Sequence, residues 1–447
     1  MSWTDATHDL RLLSRALGPG RIRGIAAEID AAARSRPDRA EGALRRGLRN
    51  ARALHSRERR LVADGLRDLI RHQGVLDATL RPPDHPFLAR WLAWMVILGA
   101  DADEAQRQWQ AASSGTDLPL ARLADRGTLL DSLAEGLDSD EIVQLIGSVP
   151  AAMSQSLLRT YGKDGALAFV EASNDRAAVF LRANTRKLTL KQIQDKLAKD
   201  GVPTERSEYA TDGLRLTARA NLDTIPTYKR GFVEVQDEGS QVLAELVDAD
   251  AGPIVDFCAG AGGKSLALAN YCSPGASILS LDVRKGALEE LQRRAKKAGA
   301  RGIRTAVMSA EGRLPNAAQT LIAGASRVLV DAPCSGSGVW RRHPEYRWRS
   351  DPTDTLAAQQ LAILERAAPL VAAGGRLIYG TCSVLQIENE DVVEAFLEAH
   401  RAFEAMPVAD VLGQSRATQL RAGRFLRLAP HTHGTDGFFG AVLRRRE

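Results

Sequence analysis

The sequence IVDFCAGAGGKS, residues 254–265, joins a short apolar run to a glycine-rich turn and then to an apolar helix. Glycines at such a turn let the backbone pass close to a ligand and leave the N-terminus of the helix open. Asp282 stands twenty residues after Gly262, at the end of the next predicted strand. A carboxylate there can accept hydrogen bonds from both hydroxyls of a ribose. The stretch therefore predicts a strand, a ligand-binding loop and a helix.

Other interpretations of the glycine turn compete with this one. A P-loop requires its first glycine at the position of Cys258, and a dinucleotide-binding fingerprint requires its third glycine at the position of Ser265. Both patterns therefore fail. A tight turn that binds no ligand stays open. A single adenosine-type cofactor is the favoured interpretation.

From residue 237 onward, predicted strands and helices alternate. The strands are Pro253–Phe257, Ser277–Leu281, Arg327–Asp331 and Arg376–Gly380, and the helices are Lys264–Tyr271, Lys285–Ala298, Thr355–Ala372 and Glu388–His400. Such alternation predicts a parallel sheet covered on both faces. The runs Phe425–Leu428 and Gly437–Arg444 predict a hairpin that gives this sheet an antiparallel edge. The expected architecture is a doubly wound α/β fold.

The chain before residue 237 is different in character. Residues 1–145 are predicted to be helical, since apolar residues recur at helical spacing, as at Val62, Leu66 and Leu69. Residues 150–236 combine helix-like and strand-like patterns and predict a small α+β segment. Its strands are expected at Val179–Ala183 and Phe232–Gln236, and its helix at Thr189–Asp200. Three domains are thus expected, with boundaries 1–145, 150–236 and 237–447.

Composition sets broad limits on the function. The 447 residues carry a formal net charge of +5 and a sequence pI near 9.1, which permits a polyanionic partner without requiring one. We find no secretory signal or membrane-spanning stretch, so a cytoplasmic protein is expected. A monomer is expected as well. The four cysteines form no C-x-x-C pair. A metal site and a disulfide framework are therefore not expected.

Two of the cysteines follow predicted strands of the sheet. Cys334 lies in DAPCSGSG, residues 331–338, and Cys382 lies in TCS, residues 381–383. Ligands of an open parallel sheet bind beyond the carboxyl ends of its strands. Both cysteines are therefore expected beside the glycine turn. The alternative is that each is a small buried hydrophobe, but core cysteines more often lie within apolar runs.

These motifs carry a family resemblance. DAPCSGSG, the following WRRHPEYRW (340–348), TCS with ENE (388–390), QDEGS (236–240), FLRAN (180–184) and DGFF (436–439) resemble the Sun/RsmB family of RNA 5-methylcytosine methyltransferases. The resemblance covers residues 150–447 well. It is weaker before residue 145, where SRERR (56–60) and the following helix are similar to the NusB-like domain of that family.

The resemblance implies a Rossmann-like, seven-stranded class I methyltransferase domain that binds S-adenosylmethionine. An all-α NusB-like RNA-binding domain and a small α+β RNA-binding segment would precede it. Cys382 would attack the cytosine and Cys334 would help to release the product. Asp331 and Lys264 would contact the base or the reacting end of the cofactor. The implied cofactor-binding residues are Cys258, Ala259, Gly260, Ala261, Gly262, Gly263, Lys264, Asp282, Glu311 and Asp331.

The chain departs from the family pattern at three positions. Ala261 replaces a proline in the cofactor loop, and Ile387 replaces a proline before Glu388. Glu311 stands where the family has an aspartate that contacts the adenine, so the carboxylate is kept on a longer side chain.

The resemblance implies an RNA substrate, and ribosomal 16S RNA is the expected one. Residues 340–349 interleave aromatic and cationic side chains, which favours base stacking and phosphate contact. Three alternatives stay open: a tRNA methyltransferase, a DNA cytosine methyltransferase in which Cys334 attacks, and a non-catalytic RNA-binding factor in ribosome assembly.

Overall fold

The computed structural model describes residues 20–36, 39–80, 85–113, 117–124, 126–249, 252–273, 275–309, 311–320, 324–349 and 353–447. The chain divides into two compact units. The helical unit comprises the chain up to Arg176 and the segment Val339–Ser350, and the sheet unit comprises Ala177–Gly338 and Asp351–Glu447. Residues 1–19 of the predicted helical domain lie outside the described residues. The division into three domains stays a prediction.

The described residues 20–176 of the helical unit form ten helices and no strand. These are α1 (Gly20–Ser35), α2 (Ala40–Asn50), α3 (Ser56–Arg71), α4 (Gln73–Leu80), α5 (Phe87–Ile97), α6 (Ala102–Ala112), α7 (Ala121–Ala124), α8 (Arg126–Ala134), α9 (Ser139–Gly147) and α10 (Ala151–Ala172). The predicted helical character is confirmed and continues to Ala172. Helix α5 is central, since nine of its residues, including Trp91 and Trp94, are buried. The similarity to NusB stays a prediction.

The segment Val339–Ser350, which belongs to the helical unit, corrects one expectation. Trp340 and Arg347 were expected to be available for nucleic acid, but both are fully buried. The guanidinium of Arg347 donates four hydrogen bonds of 2.7–3.0 Å, to the carbonyl oxygens of Arg71, Gly147 and Ser173 and to Oδ1 of Asn174. Because both terminal nitrogens of the guanidinium donate to acceptors inside the protein, Arg347 has a structural role.

A small antiparallel sheet opens the sheet unit. Its strands are β1 (Phe180–Ala183), β2 (Thr204–Arg206), β3 (Gly213–Leu216) and β4 (Val233–Val235), in the order β2-β3-β1-β4. Helices α11 (Leu190–Lys199) and α12 (Pro226–Lys229) accompany it. Thr189 caps α11 through its side chain, as predicted, and Ile193 and Leu197 bury the apolar face of the helix against the strands. The predicted α+β segment is confirmed.

The second sheet contains β5 (Ile254–Asp256), β6 (Ile278–Asp282), β7 (Ile303–Val307), β8 (Ala325–Asp331), β9 (Val371–Thr381), β10 (Phe403–Met406), β11 (Leu426–Leu428) and β12 (Phe438–Arg445). Seven strands run in the order β10-β12-β9-β8-β5-β6-β7, and β11 pairs with β12 off this path. Strands β5 to β9 are parallel, whereas β12 is antiparallel to β9, β10 and β11. The predicted parallel sheet and hairpin are confirmed.

Helices cover both faces of this sheet. They are α13 (Glu238–Glu245), α14 (Gly263–Tyr271), α15 (Lys285–Ala298), α16 (Asn316–Gln319), α17 (Thr353–Ala367), α18 (Glu390–Ala399), α19 (Val408–Leu412), α20 (Gln414–Gln419) and α21 (Pro430–His433). The helix predicted over 355–372 ends at Ala367, because Pro369 lacks the N–H that a longer helix needs. Strand β5 has β6 on one side and β8 on the other, and a ligand crevice forms where strand order reverses in this way.

No helix in the described part of the chain combines the length and the apolar character needed to cross a membrane.

Candidate active site

Cys334 and Cys382 meet beyond the ends of two neighbouring strands. Strand β8 ends at Asp331 and β9 at Thr381, and the parallel register pairs Asp331 with Gly380. The loops that follow therefore leave the sheet side by side. Their two Sγ atoms are 3.3 Å apart, and both residues are partly exposed. The structure thus brings together the two thiols that the sequence places at this edge.

The surroundings of the Cys334 thiol disfavour its ionisation. The hydrogen bond with the sulfur of Cys382 raises the pKa of Cys334, and burial and the negative charges of Cys382 and Glu388 raise it further. A thiol in such surroundings gives up its proton reluctantly.

Lys264 links the glycine loop to the loop that carries Cys334. Its Nζ lies 2.6 Å from a carboxylate oxygen of Asp331 and 5.5 Å from the centre of the Phe438 ring. Burial by itself would lower the pKa of Lys264, but Asp331 and, to a smaller extent, Cys382 raise it above its usual value. Lys264 is therefore a cation that is held by Asp331.

The glycine turn between β5 and α14 depends on backbone conformations that favour glycine. Gly260 and Gly262 have φ values of 54° and 86°. A Cβ on Gly262 would also lie only 2.4 Å from the side chain of Leu291 in α15. The turn therefore packs tightly against α15. Helix α14 starts at Gly263 without a side-chain cap, so the N–H groups of its first turn have no partner within the helix.

Asp282 faces this turn from the end of β6. Its carboxylate accepts hydrogen bonds of 2.8 Å from the backbone N–H groups of Gly260 and Arg284, and the Arg284 side chain also donates to it. Burial would raise the pKa of Asp282, but these hydrogen bonds lower it overall. An ionised carboxylate beside a glycine turn fits the acceptor that a ribose needs. The donor and acceptor set thus suits an adenosine-type ligand.

Three buried residues that the sequence analysis missed form hydrogen bonds next to the turn. The hydroxyl of Ser265 lies 2.6 Å from the carboxylate of Asp256 and 2.9 Å from the hydroxyl of Ser280. Burial raises the pKa of Asp256 to about 7. These three residues join β5, β6 and α14. An aspartate at the end of an apolar strand, with a serine at the start of the next helix, was the available signal.

The other predicted cofactor residues lie in or near the same turn. Burial raises the pKa of Cys258, whose side chain is only partly exposed, and the carbonyl of Ala261 accepts a hydrogen bond of 2.6 Å from Arg294. Ala259 is buried. Glu311 is exposed, and its backbone carbonyl accepts a hydrogen bond from Arg366. Among the residues that the structure describes, no contact links its carboxylate to the turn, so its role stays a prediction.

Glu388 is a second group that the sequence interpretation did not place in the site. It is fully buried, and its carboxylate accepts hydrogen bonds from Ser335 and Ser383, the residues that follow the two cysteines. The motif that begins at Glu388 was visible in the sequence, but the partners of the carboxylate were not.

The parallel sheet, the glycine turn after β5 and the acid at the end of β6 define a Rossmann-like methyltransferase. The model of the 16S rRNA methyltransferase RsmB/F family matches residues 242–444, and that of the associated ferredoxin-like domain matches residues 149–223. The chain belongs to this RsmB/F family, which confirms the resemblance seen in the sequence. S-adenosylmethionine is the cofactor of such methyltransferases, as expected.

Individual relatives agree with this assignment. The chain is 34% identical over 271 residues to the "Probable ribosomal RNA small subunit methyltransferase B" of Bacillus subtilis, a match over 60% of this chain and 59% of the relative. A protein of the same name from Synechocystis is 30% identical, over 67% of each chain. The chain thus spans about three fifths to two thirds of these relatives. The crystal structure of PH0851 superposes with a TM-score of 0.71 at 26% identity, over 96% of this chain and 99% of that one.

Proposed function

We propose that the protein transfers a methyl group from S-adenosylmethionine to carbon 5 of a cytosine in 16S ribosomal RNA, through a transient bond between Cys382 and the base. The observation that carries this proposal is the pair of partly exposed thiols, 3.3 Å apart at the ligand edge of a methyltransferase sheet. Relatives described as ribosomal RNA small subunit methyltransferases support the RNA class.

The chemistry explains why a thiol is needed. Carbon 5 of cytosine is a poor nucleophile. Addition of a thiolate to carbon 6 breaks the conjugation of the ring and makes carbon 5 enamine-like, which divides one difficult step into two easier ones. The bound cofactor supplies an electrophilic methyl group to that carbon. The carbon 5 proton must then leave, and its electron pair restores the ring double bond as the thiolate is expelled.

The residues of this chain divide these tasks. The family pattern, in which the cysteine of the TCS motif attacks the base, makes Cys382 the proposed nucleophile. Cys334 is the proposed base that takes the proton from carbon 5. Once Cys382 is bonded to carbon 6, the hydrogen bond and charge of its sulfur no longer raise the pKa of Cys334, which can then lose its own proton to solvent.

Asp331, three residues before Cys334 and bonded to Lys264, is the proposed carboxyl group at ring nitrogen 3. In the ion pair the proton lies on the ammonium of Lys264, so it would pass from Lys264 through Asp331 to ring nitrogen 3. There it would draw electrons from the ring and favour addition at carbon 6.

The test is methyl transfer to defined substrates. Purified protein and labelled S-adenosylmethionine are incubated with 16S rRNA, with tRNA, and with a DNA copy of the modified rRNA region, and bisulfite sequencing locates the product. We expect 5-methylcytosine at a defined position of the rRNA. Preferential modification of tRNA or of the DNA would replace the proposed substrate. Full activity of a Cys382→Ala variant in ribosome assembly would favour a non-catalytic factor.

An arginine-rich groove in the helical unit supports a polyanionic substrate. Residues 20–60 contain twelve arginines and five carboxylate residues, so this segment carries +7 within a chain whose total is +5. A groove between α1 and α2 is lined by Arg36, Arg39, Arg46 and Arg52, and Glu28 is the one carboxylate among its described lining residues. Clustered, exposed arginines of this kind attract RNA phosphates.

Reversing two of these charges should weaken RNA binding. For Arg46→Glu with Arg52→Glu, we expect a lower affinity for 16S rRNA, because two phosphate contacts are lost. The plot of log affinity against log salt should become shallower by roughly 1.4–1.8. Filter binding at several salt concentrations measures both. Arg401→Glu with Arg444→Glu, which makes the same charge change at exposed positions of the sheet unit, is the control. Equal loss in both variants would contradict a binding role for the groove.

A further inference from the structure

Arg294 of α15 contacts the glycine turn from the side. Its Nη1 donates a hydrogen bond of 2.6 Å to the carbonyl oxygen of Ala261. The other edge of the same guanidinium faces Glu234, with Nε and Nη2 at 3.3 and 3.1 Å from one carboxylate oxygen. Because the donors of arginine form a rigid planar fork, one side chain binds both acceptors at once.

Glu234 holds Arg294 in this position. It is the middle residue of β4, it is 5% exposed, and the register pairs it with Arg182 of β1. Its other carboxylate oxygen lies 3.2 Å from Nζ of Lys297, which is three residues after Arg294 in α15. The charge of this buried carboxylate is thus balanced by two cations of one helix. The α+β segment therefore reaches the glycine turn through Glu234 and Arg294.

Further contacts join the same segment to the end of α15. The side-chain amide of Asn184 donates to the carbonyl of Ala298 at 2.8 Å, and Nζ of Lys187 donates to that of Lys297 at 3.0 Å. These are among the last carbonyls of the helix, which have no partner within it. Several contacts thus fix α15 against the segment. Replacement of Arg294 should therefore remove the contact with the turn without releasing the helix.

The glycine turn has little backbone restraint of its own. Ala261 lies between Gly260 and Gly262, and glycine restricts its own backbone less than any other residue. The N–H of Gly262 donates to the carbonyl of Ala259 at 2.9 Å. The carbonyl of Ala261 is the other end of that same peptide group, and Arg294 binds it. The contact with Arg294 therefore completes the restraint of this peptide group.

We propose that Arg294, held by Glu234, is a positioning residue that keeps the glycine turn in the conformation that binds S-adenosylmethionine. The α+β segment thereby contributes to the cofactor site. A turn that adopts its binding conformation only part of the time lowers the apparent affinity for the ligand in proportion. The proposal rests on the cofactor, and it depends neither on the identity of the nucleic acid nor on the roles of the two cysteines.

The experiment measures cofactor binding and backbone exchange in the full-length protein without RNA. Calorimetric titration with S-adenosylmethionine gives the affinity. Hydrogen exchange of the ligand-free protein, followed by mass spectrometry of a peptide that spans residues 257–266, reports the N–H groups of the turn. For Arg294→Ala we expect roughly tenfold weaker binding and faster exchange in this peptide. In methyl transfer, the KM for the cofactor should rise by a similar factor while kcat stays nearly constant.

Arg293→Ala is the matched control, because it removes the neighbouring arginine of α15, which is exposed and pairs with Glu290. Its affinity and exchange should equal those of the wild type. Glu234→Gln weakens the hold on Arg294 and should cause a smaller loss in the same direction.

Wild-type affinity and exchange in Arg294→Ala, or an equal loss in Arg293→Ala, would overturn the proposal. Faster exchange throughout the sheet unit would overturn it as well, because it would show a general loss of stability. If Arg294→Ala does not fold, wild-type binding by Glu234→Gln has the same consequence.

Discussion

Replacing Cys334 by serine is expected to trap a covalent protein–RNA adduct. In the proposed reaction, Cys382 bonds to carbon 6 before methyl transfer, and Cys334 is needed afterwards to remove the carbon 5 proton. Without Cys334 the methylated adduct cannot eliminate the thiolate and accumulates. Denaturing gel electrophoresis with labelled RNA should show a slowly migrating band that survives sodium dodecyl sulfate and disappears after ribonuclease treatment. Turnover should stop after about one cycle.

The matched variant is Cys382→Ser. A serine hydroxyl is a far weaker nucleophile than a thiolate, so no adduct and no product are expected. The two sulfur atoms are only 3.3 Å apart, so both replacements alter the same small space and differ mainly in which thiol remains. A band with Cys382→Ser and none with Cys334→Ser would exchange the two roles.

Replacing Asp331 by asparagine should reduce the rate of methyl transfer by about 10²–10⁴-fold. An amide cannot pass a proton from Lys264 to ring nitrogen 3, and it no longer neutralises Lys264, whose Nζ lies 2.6 Å from the carboxylate. Single-turnover measurements with saturating cofactor report the chemical step directly. We expect the loss in that rate constant, and a smaller change in the affinity for RNA.

A control must show that the protein is still folded, because Lys264 is nearly buried and loses its counter-charge in this variant. Thermal unfolding measures that cost separately. Asp195→Asn is the control, because it makes the same chemical change in an exposed ion pair, with Lys191. It should leave both the rate of methyl transfer and the melting temperature unchanged. An Asp331→Asn protein that is folded and methylates RNA at the wild-type rate would remove Asp331 from the mechanism.

Much of the sheet unit could be predicted because its apolar runs are local signals. Each of the strands β5, β6, β8 and β9 is an apolar run that ends at a turn or a polar motif. Strand β7 (Ile303–Val307) was missed because it lies at the edge of the sheet, and half-exposed residues interrupt its apolar pattern. The short edge strand β10 (Phe403–Met406) was missed for the same reason.

Side-chain partners that are distant in sequence were beyond prediction. The interleaved aromatics and cations of residues 340–349 suggested contact with RNA, yet the acceptors of Arg347 come from three separate parts of the chain. A sequence pattern shows that donors exist but not where their acceptors lie. The same holds for Glu388, whose two serine partners become neighbours only when β8 and β9 pair. The cysteines themselves were predictable, since strand ends mark the ligand edge.

The helical unit is discontinuous in sequence, and this limits how the protein can be divided. The chain leaves this unit after Arg176, returns to it at Val339 and leaves it again after Ser350. A fragment that begins at residue 177 would keep both thiols but deprive Trp340 and Arg347 of the partners that bury them. Gene truncation at that point would therefore expose a tryptophan and an unsatisfied guanidinium together, only a few residues from Cys334. Neither unit can therefore be separated from the other by cutting the chain at a single position.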